Sequence, residues 1–420
     1  MDDFTYRRVV RVGVLALVML LWLLLARAVS SAPAAHATVT VSTTADEYDL
    51  VPNGECALRE AIKSQNDNVN FGGCVRGFIP GPGTDAILLP SGTYSLTFAG
   101  SGEDLDATGD LDIRDSVMIS TTGALTATLL GGASWTDRIM HILTGTVTLK
   151  GLAIRGGHAD GQGGGGVRIE SGQSLTFHEG VVADSSAVGN GGGILNHGTA
   201  ALTNVTLSGN SATGISSSGG GIDNAGTVTL TNVTVSGNTV TATNSIGGGI
   251  YNHGTATLSN VTLSGNRASL AGGAILNNGA ATLSNVTVIG NGGMNGSGIY
   301  ESGGTTTLVN TIVASIGVSG GNCVPSLGGS FNLSSDNSCG FGAGRDNVNV
   351  MLGPLANNGG HTLTHLPLGG SPAIDFGTNA GCPSSDQRGY PRPFGAACDV
   401  GAVERQLSDN FFLHLPLVVR

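Results

Sequence analysis

A run of acidic residues between positions 104 and 115 is the clearest candidate for chemistry in this sequence. A glycine, Gly109, stands at the sixth position of the run. Oxygen-bearing side chains at positions 1, 3, 5, 9 and 12 around such a glycine are typical of a calcium-binding loop. We therefore expect one structural Ca²⁺ ion, held by Asp104, Asp106, Thr108, Asp112 and Asp115. The alternative is an acidic turn that leads into a strand at Leu111, without an ion.

A second set of carboxylates falls on neighbouring coils of the fold predicted below, and basic residues are interspersed with it. The set comprises Asp137, Asp160, Glu170, Glu179 and Asp184, with Arg138, Arg155 and Arg168 between them. Glycoside hydrolysis needs two carboxylates about 5–9 Å apart. Because both signs of charge alternate here, we interpret the set as an ordinary solvated face and predict no catalytic residues.

The middle of the chain is poor in ionisable groups. Between positions 185 and 300 the charged residues are Asp223 and Arg267. His197 and His253 occupy one repeat position two units apart, with Ala225 between them. At about 4.8 Å per unit they lie about 10 Å apart, which favours a variable surface turn over a shared metal.

The elements that would position these residues are set by an internal repeat. Four near-identical blocks cover residues 191–210, 219–238, 247–266 and 272–291, each beginning with two or three consecutive Gly or Ala residues and ending in Gly-Asn. Degenerate copies begin at Gly164 and Gly296. A period of 24–28 residues indicates a solenoid, whose unit buries its apolar face by stacking on its neighbours.

Each block alternates apolar and polar residues with a period of two. Ala256, Leu258, Val261 and Leu263 point inward, and the Thr and Ser residues between them point outward. This alternation predicts short strands, and the glycine clusters predict corners. The fold class expected is all-β: a right-handed parallel β-helix with a short capping helix near residues 55–62, which Asn53 could cap.

Asparagine recurs at three positions of the block. In a stacked solenoid its side-chain amides can form ladders between coils, and asparagine tolerates a left-handed backbone at corners. Glycosylation at Asn-Val-Thr is the alternative interpretation. The first predicted ladder comprises Asn204, Asn232, Asn260, Asn285 and Asn310. The other two positions hold Asn210, Asn238, Asn266 and Asn291, and Asn196, Asn224, Asn252 and Asn277.

The N-terminal segment is typical of an exported protein. Residues 1–37 combine Arg7, Arg8 and Arg11 with an apolar run and an Ala-His-Ala site, so that we expect a signal peptide; an uncleaved anchor is the alternative. No later apolar stretch is long enough to span a bilayer.

Six cysteines permit 15 connectivities, and local pairs are the economical choice in an exported chain: Cys56 with Cys74, Cys323 with Cys339, and Cys382 with Cys398.

The net charge excludes one class of partner. The formal charge is −11, and removal of residues 1–37 leaves 14 basic and 27 acidic residues. An acidic chain of this kind is unsuited to nucleic acid or to an anionic membrane surface. We expect no nucleic-acid partner.

Three parts of the chain resemble known families. Residues 56–61 (CALREA) and 109–113 (GDLDI) resemble the CSLREA domain of bacterial exported proteins, with Ala57 in place of the usual serine. Residues 355–362, 371–375, 386–389 and 398–404 resemble the choice-of-anchor Q domain. The Gly-Gly-Ala-Ile and Leu-Ser-Asn segments at 272–275 and 283–285 are similar to repeats of polymorphic outer-membrane proteins, the chlamydial adhesins. The resemblance implies an exported, surface-associated β-helix and brings no catalytic residues.

These observations predict five segments and a function. We expect a signal peptide at 1–37, an N-terminal cap at 38–110, β-helix repeats at 111–316, a C-terminal module at 317–405 and an apolar tail at 406–420. The predicted function is that of a non-enzymatic, adhesin-like scaffold, secreted or at the cell surface. Its polar Thr, Ser and Asn face would bind a glycan or a surface protein. The alternative is a polysaccharide lyase or hydrolase that acts on acidic glycans.

Overall fold

The computed structural model describes residues 36–79, 81, 83–123, 126–132, 134–161, 163–314 and 320–410. Nearly all of the predicted signal peptide and most of the predicted tail lie outside these residues. Within them the regular secondary structure is almost entirely β-strand, with one α-helix, α1 (Leu58–Asp67), and a 3₁₀ turn at Leu407–Asn410.

The strands are short, and most of them repeat once per coil. In chain order they are β1 (His36–Thr40), β2 (Gly77–Ile79), β3 (Asp85–Leu89), β4 (Gly92–Leu96), β5 (Leu111–Ile113), β6 (Val117–Thr121), β7 (Ala127–Gly131), β8 (Met140–Ile142), β9 (Thr146–Lys150), β10 (Leu152–Arg155), β11 (His158–Ala159), β12 (Val167–Ile169), β13 (Ser174–Ala183), β14 (Ser186–Ala187), β15 (Ile194–Asn196), β16 (Thr199–Ser208), β17 (Ser211–Ala212), β18 (Ile222–Asn224), β19 (Thr227–Thr231), β20 (Thr234–Ser236), β21 (Thr239–Val240), β22 (Ile250–Asn252), β23 (Thr255–Ser264), β24 (Arg267–Ala268), β25 (Ile275–Asn277), β26 (Ala280–Ile289), β27 (Ile299–Glu301), β28 (Thr305–Val309), β29 (Ile312–Ala314), β30 (Cys323–Val324), β31 (Leu333–Ser334), β32 (Leu352–Ala356) and β33 (Thr364–Pro367).

Three sheets run along the stack of coils. The first sheet has nine strands in the order β30-β27-β25-β22-β18-β15-β12-β8-β5, the second has 17 strands, and the third has five two-residue strands in the order β11-β14-β17-β21-β24. Apart from β1 with β2, the strand pairs of these sheets are parallel, whereas β32 and β33 form a separate antiparallel pair. The predicted parallel β-helix is therefore confirmed.

The apolar repeat positions stack in register. Leu202, Leu230, Leu258 and Leu283 are successive partners across β16, β19, β23 and β26, and all four are almost fully buried. Burial of one such side chain contributes about 1.5–3 kcal/mol. A one-residue slip would turn the whole column to solvent, so the repeat sets the register.

The asparagine positions divide into one corner and two ladders. Asn204, Asn232, Asn260, Asn285 and Asn310 all have φ between 49° and 57°, so this column forms the left-handed corner that splits the second sheet into two faces. Amide contacts within it join Asn260 to Asn232 at 3.2 Å and Asn310 to Asn285 at 3.5 Å. The ladders with the shorter amide–amide distances lie at the other two positions. There, successive amides of Asn196, Asn224, Asn252 and Asn277 are 2.6–2.7 Å apart, and those of Asn210, Asn238, Asn266 and Asn291 are 2.9–3.0 Å apart.

The first coil is covered by α1. Leu58, Ala61 and Ile62 form its buried face, and the N-cap is Ala57, whose N–H donates to Glu60 Oε2 at 3.2 Å. The suggested cap, Asn53, lies four residues earlier and accepts a hydrogen bond from the N–H of Glu55 instead.

The ladder of parallel strands extends beyond the predicted repeat region. Strand β3 pairs with β6 and β4 pairs with β7, so coils begin within the segment that the sequence assigned to the cap. At the other end β30 and β31 still pair with β27 and β29. The repeat signal fades at both ends because the terminal coils lack the Gly-Asn corners.

The three local disulfides form as predicted, joining Cys56 to Cys74, Cys323 to Cys339 and Cys382 to Cys398. Each one closes a loop near an end of the solenoid or in the C-terminal module. Among the described residues, no helix is both long and apolar enough to cross a bilayer.

Candidate functional site

A cluster of ionisable side chains lies on the first coils, where three strands of the first sheet stack. Pairing of β5 with β8 and of β8 with β12 places Asp112, His141 and Arg168 in one column. They are the middle residues of their strands and face away from the apolar residues on either side. Three titratable groups far apart in the sequence therefore become neighbours.

Asp104 reaches the same cluster from the acidic loop that precedes β5. The Nδ1 atom of His141 lies 3.6 Å from Asp112 Oδ1 and 3.7 Å from Asp104 Oδ1. The side chains of Asp112 and His141 are 0% and 6% exposed, whereas that of Asp104 is 62% exposed. The group thus has a buried floor and a solvent-facing rim.

Three polar atoms at this floor have no hydrogen-bond partner among the described residues: Asp112 Oδ1, Asp112 Oδ2 and His141 Nδ1. Buried polar atoms in folded proteins are nearly always satisfied, and each exception calls for an explanation. The three atoms converge, which is the arrangement that a bound cation would satisfy.

The other ring nitrogen of His141 is held by Glu170. His141 Nε2 lies 2.9 Å from Glu170 Oε1, and Arg168 Nε donates to the same oxygen at 2.6 Å. Although burial opposes it, hydrogen bonds from His141 and Arg168 lower the pKa of Glu170. An ionised Glu170 accepts a hydrogen bond from the Nε2–H group of His141. The other ring nitrogen, Nδ1, then presents its lone pair to Asp104 and Asp112.

The capping helix positions the acidic loop. The fully buried Arg59 donates to the carbonyl oxygens of Asp106, Gly109 and Asp110 at 2.8–3.2 Å and to the Asp46 carboxylate at 2.8 Å. Asn66, also on α1, bonds to the Asp106 side chain and to the carbonyl of Asp112. The helix that closes the solenoid therefore also orders the loop above the cluster.

The electrostatics of the floor are unfavourable without a cation. Burial, together with the negative charges of Asp104 and Glu103, raises the pKa of Asp112 to about 7. Burial and the charge of Asp112 likewise raise the pKa values of Asp106 and Asp110 to about 7. The site concentrates negative charge that a bound cation would stabilise.

Of the five predicted calcium ligands, the structure brings Asp104 and Asp112 together. Asp106 is turned away and accepts hydrogen bonds from Asn66 and from the N–H of Asp112. Thr108 donates its N–H to Glu103, and Asp115 accepts from Asn68 and the N–H of Ser116. These hydrogen bonds of Asp106, Thr108 and Asp115 brace the loop as a turn.

Sequence reasoning missed His141 as a partner of this loop. The signal was present, because residues 111–113 (LDI), 140–142 (MHI) and 167–169 (VRI) share one apolar–polar–apolar pattern at spacings of 29 and 27 residues. Aligning these degenerate coils would have placed Asp112, His141 and Arg168 in one column.

The other acidic candidates do not form one cluster: Asp137 is buried, whereas Asp160, Glu179 and Asp184 lie at the surface. Each has a separate partner: Asp137 bonds to the N–H of Arg138, Asp160 lies 3.3 Å from His158, Glu179 lies 4.0 Å from Lys150 and Asp184 bonds to Arg155 at 2.7 Å. The two repeat histidines also have different partners, with His253 3.2 Å from Asp223 and His197 3.9 Å from Glu170.

The outward surface of the second sheet divides at the asparagine corner. Before the corner, two columns of mostly threonine stack in register and are exposed. The first comprises Thr199, Thr227, Thr255, Ala280 and Thr305, and the second Thr229, Thr257, Thr282 and Thr307. We call these two columns the threonine face.

After the corner, the polar surface is covered by the C-terminal module. Thr262 Oγ1 donates to Gln387 Oε1 at 2.7 Å, Thr234 Oγ1 donates to a carbonyl of the module at 2.6 Å, and Thr287 Oγ1 accepts from the N–H of Ala402 at 2.9 Å. All three threonines are at most 2% exposed. The module therefore covers these three threonines, whereas the threonine face before the corner stays exposed.

A groove of about 590 Å³ opens on the earlier coils of the second sheet. Its lining includes Ser120, Thr121, Lys150, Glu179 and His361. Hydroxyls and both signs of charge on one outward surface suit a polar ligand.

A search of solved structures finds a similar fold. The crystal structure of the pectate lyase Pel9A matches with a TM-score of 0.50 and 17% sequence identity, over 88% of this chain and 98% of that one. No protein-family model matches the sequence, and no curated protein matches it. At this identity the likeness shows the β-helix fold alone.

Proposed function

We propose that this protein is a non-enzymatic, exported β-helix scaffold that binds an extended ligand through its threonine face. The observation that carries the proposal is the register of that face: exposed threonines stand one above another on four successive coils in the second column and on three in the first, where Ala280 follows. Strand stacking spaces them by about 4.8 Å. The surface is thus a regular two-column array of hydroxyl and methyl groups.

A regular array favours a ligand that is itself repetitive. Each hydroxyl can exchange a weak hydrogen bond, and neighbouring contacts add because the first one holds the ligand in place for the next. A polysaccharide chain or a fibrous surface protein that lies along the solenoid axis would meet many equivalent contacts. Such a surface fits an adhesin-like role at the cell surface or in the secreted fraction.

Export is supported by two features. The three disulfides belong to an oxidising compartment, and the resemblance to the CSLREA and choice-of-anchor Q domains implies a surface-associated protein. The module that covers Thr234, Thr262 and Thr287 comprises the segments of the second resemblance. It leaves the threonine face open.

The test is a binding assay with the full chain. Retention is measured on insoluble cellulose, chitin and cross-linked polygalacturonate, and on intact cells of the source organism. The double variant Thr229→Glu/Thr257→Glu places two charges in the array without disturbing buried groups. Thr241→Glu, an exposed threonine that follows β21 on the third sheet, is the matched control.

Retention on at least one carrier, lost in the double variant and kept in the control, supports the proposal. Absence of retention on every carrier refutes it, as does equal retention by the double variant.

A polysaccharide-degrading enzyme is the second candidate function. It is favoured by the Asp112, His141 and Glu170 cluster on adjacent coils and by the likeness to a pectate lyase. A lyase would release unsaturated products from polygalacturonate, which are detected by their ultraviolet absorbance. Glu170→Gln should abolish that release, whereas Asp160→Asn, an exposed acid of a neighbouring coil, should not. Absence of product from the intact protein counts against this candidate.

A further inference from the structure

We propose that Asp104, Asp112 and His141 bind one divalent transition-metal ion of the Zn²⁺ class. The site goes beyond the proposed scaffold function and does not depend on it. One ligand atom from each of the three residues lies within 4.8 Å of the others. Three such ligands around a tetrahedral ion, with metal–ligand distances near 2.0–2.1 Å, stand about 3.3 Å apart. The 3.6 Å and 3.7 Å separations from His141 Nδ1 need an adjustment of a few tenths of an ångström.

The unsatisfied atoms at the floor point to a ligand independently of the acidic cluster. Asp112 is 0% exposed, and neither of its carboxylate oxygens has a hydrogen-bond partner in the described parts of the chain. His141 Nδ1 is unpartnered in the same sense and lies beside Asp112 Oδ1. A cation between these atoms would satisfy all of them at once and offset the cost of the buried carboxylate.

Glu170 supplies the outer support that metal-binding histidines have. Such a histidine donates its second ring N–H to a carboxylate, which fixes the tautomer and makes the free nitrogen a better ligand. Here Glu170 Oε1 accepts from His141 Nε2 at 2.9 Å and is itself held by Arg168 at 2.6 Å. Glu170 is therefore a positioning residue, and the chain Arg168–Glu170–His141 aims Nδ1 at the two aspartates.

The donor set selects the class of ion. Calcium prefers six to eight oxygen ligands, whereas imidazole nitrogen suits zinc and its neighbours in the first transition row. Two carboxylates and one imidazole leave a fourth position for water. Because Asp104 lies at the solvent-facing rim, the ion has an access route. The proposed site differs from the expected calcium loop in that it joins Asp104 and Asp112 to His141 on the adjacent coil.

The ion would fasten the acidic loop to the solenoid. Asp104 belongs to the loop, whereas Asp112 and His141 belong to β5 and β8. Loss of the ion should therefore loosen residues 98–110 before it affects the stacked coils.

The test uses the disulfide-bonded full chain after dialysis against EDTA. Calorimetric titration with ZnSO₄ and, separately, with CaCl₂ should show one Zn²⁺ per chain, bound more tightly than Ca²⁺. Asp112→Asn keeps the shape of the side chain and removes a buried charge, so this variant should fold. Asp112→Asn and His141→Gln, each as a single substitution, should weaken Zn²⁺ binding at least about 100-fold. Glu170→Gln should weaken it about 10–100-fold.

His253→Gln is the matched control, because His253 also pairs with an aspartate on the same sheet yet has no second carboxylate. It should bind Zn²⁺ as the unaltered protein does. Replacement of Zn²⁺ by Co²⁺ adds a visible absorption band that must change in His141→Gln. Far-ultraviolet circular dichroism identifies any variant that has not folded, and such a variant is replaced by His141→Asn.

The proposal is overturned by no Zn²⁺ binding, by Ca²⁺ binding more tightly than Zn²⁺, or by binding that the Asp112 and His141 substitutions leave unchanged. Chelation that leaves protease cleavage of residues 98–110 unchanged overturns the fastening role.

Discussion

Removal of one asparagine from a buried ladder should cost the protein several kilocalories per mole. Asn277 is fully buried. Its Oδ1 accepts from Asn252 Nδ2 at 2.7 Å, and its Nδ2 donates to the Thr305 carbonyl at 3.1 Å and to Thr306 Oγ1 at 3.0 Å. At about 1 kcal/mol net for each hydrogen bond, Asn277→Ala should destabilise the chain by about 3 kcal/mol, and the cavity adds to this cost.

The neighbouring residue provides the matched control. Asn278 is exposed, and its side-chain amide donates to the hydroxyl of Tyr251 at 3.1 Å. Asn278→Ala should therefore change the free energy of unfolding by less than about 0.5 kcal/mol.

Urea unfolding followed by circular dichroism measures both variants, with the slope m checked for constancy. Because coils can open locally, hydrogen exchange of residues 272–309 should report the same difference. If Asn277→Ala loses no more stability than Asn278→Ala, the ladder is not a stabilising element and the reasoning fails.

Three further predictions follow from the ends of the solenoid and from its covered face. Replacement of Cys56 and Cys74 by serine should lower the free energy of unfolding by about 3 kcal/mol, because the bond closes a loop of 18 residues; thermal unfolding measures this, and an unchanged midpoint would contradict it. Gln387→Ala removes the partner of Thr262 at the docked module, so limited proteolysis should release the module sooner than in the unaltered chain, and equal rates would argue against docking through this residue. Burial lowers the pKa of His365, so the folded state holds the imidazole neutral while the unfolded chain takes up a proton. The free energy of unfolding should therefore fall as the pH drops below about 6.5, and it should fall less in His365→Gln. Urea titrations of both proteins at pH 7.5 and 5.5 would measure the difference.

The repetitive part of the fold could be predicted because the same interactions recur in every unit. The neighbours of Leu258 could be predicted from the repeat, since Leu230 and Leu283 lie at the same position of adjacent coils. The asparagine columns could be recognised for the same reason. Their separate roles could not, because a corner and a ladder show the same periodicity and differ in backbone conformation and in amide contacts.

The candidate metal site was predicted in part. Asp104 and Asp112 were recognised from local spacing, which a calcium loop and a braced turn share. His141 and Glu170 lie on degenerate coils 29 and 58 residues beyond Asp112, where the repeat pattern is too faint to align by inspection.

The sequence by itself determined the solenoid, its register and its local disulfides, because strand stacking and short-loop closure depend on residues close in sequence or repeated at a fixed period. The tertiary structure alone decided which polar surface stays open and which side chains meet at the first coils. Thr262 and Gln387 are 125 residues apart, and nothing periodic links them. Contacts between a repeat and a non-repetitive module depend on the shapes of both in three dimensions, and these become defined when the chain has folded.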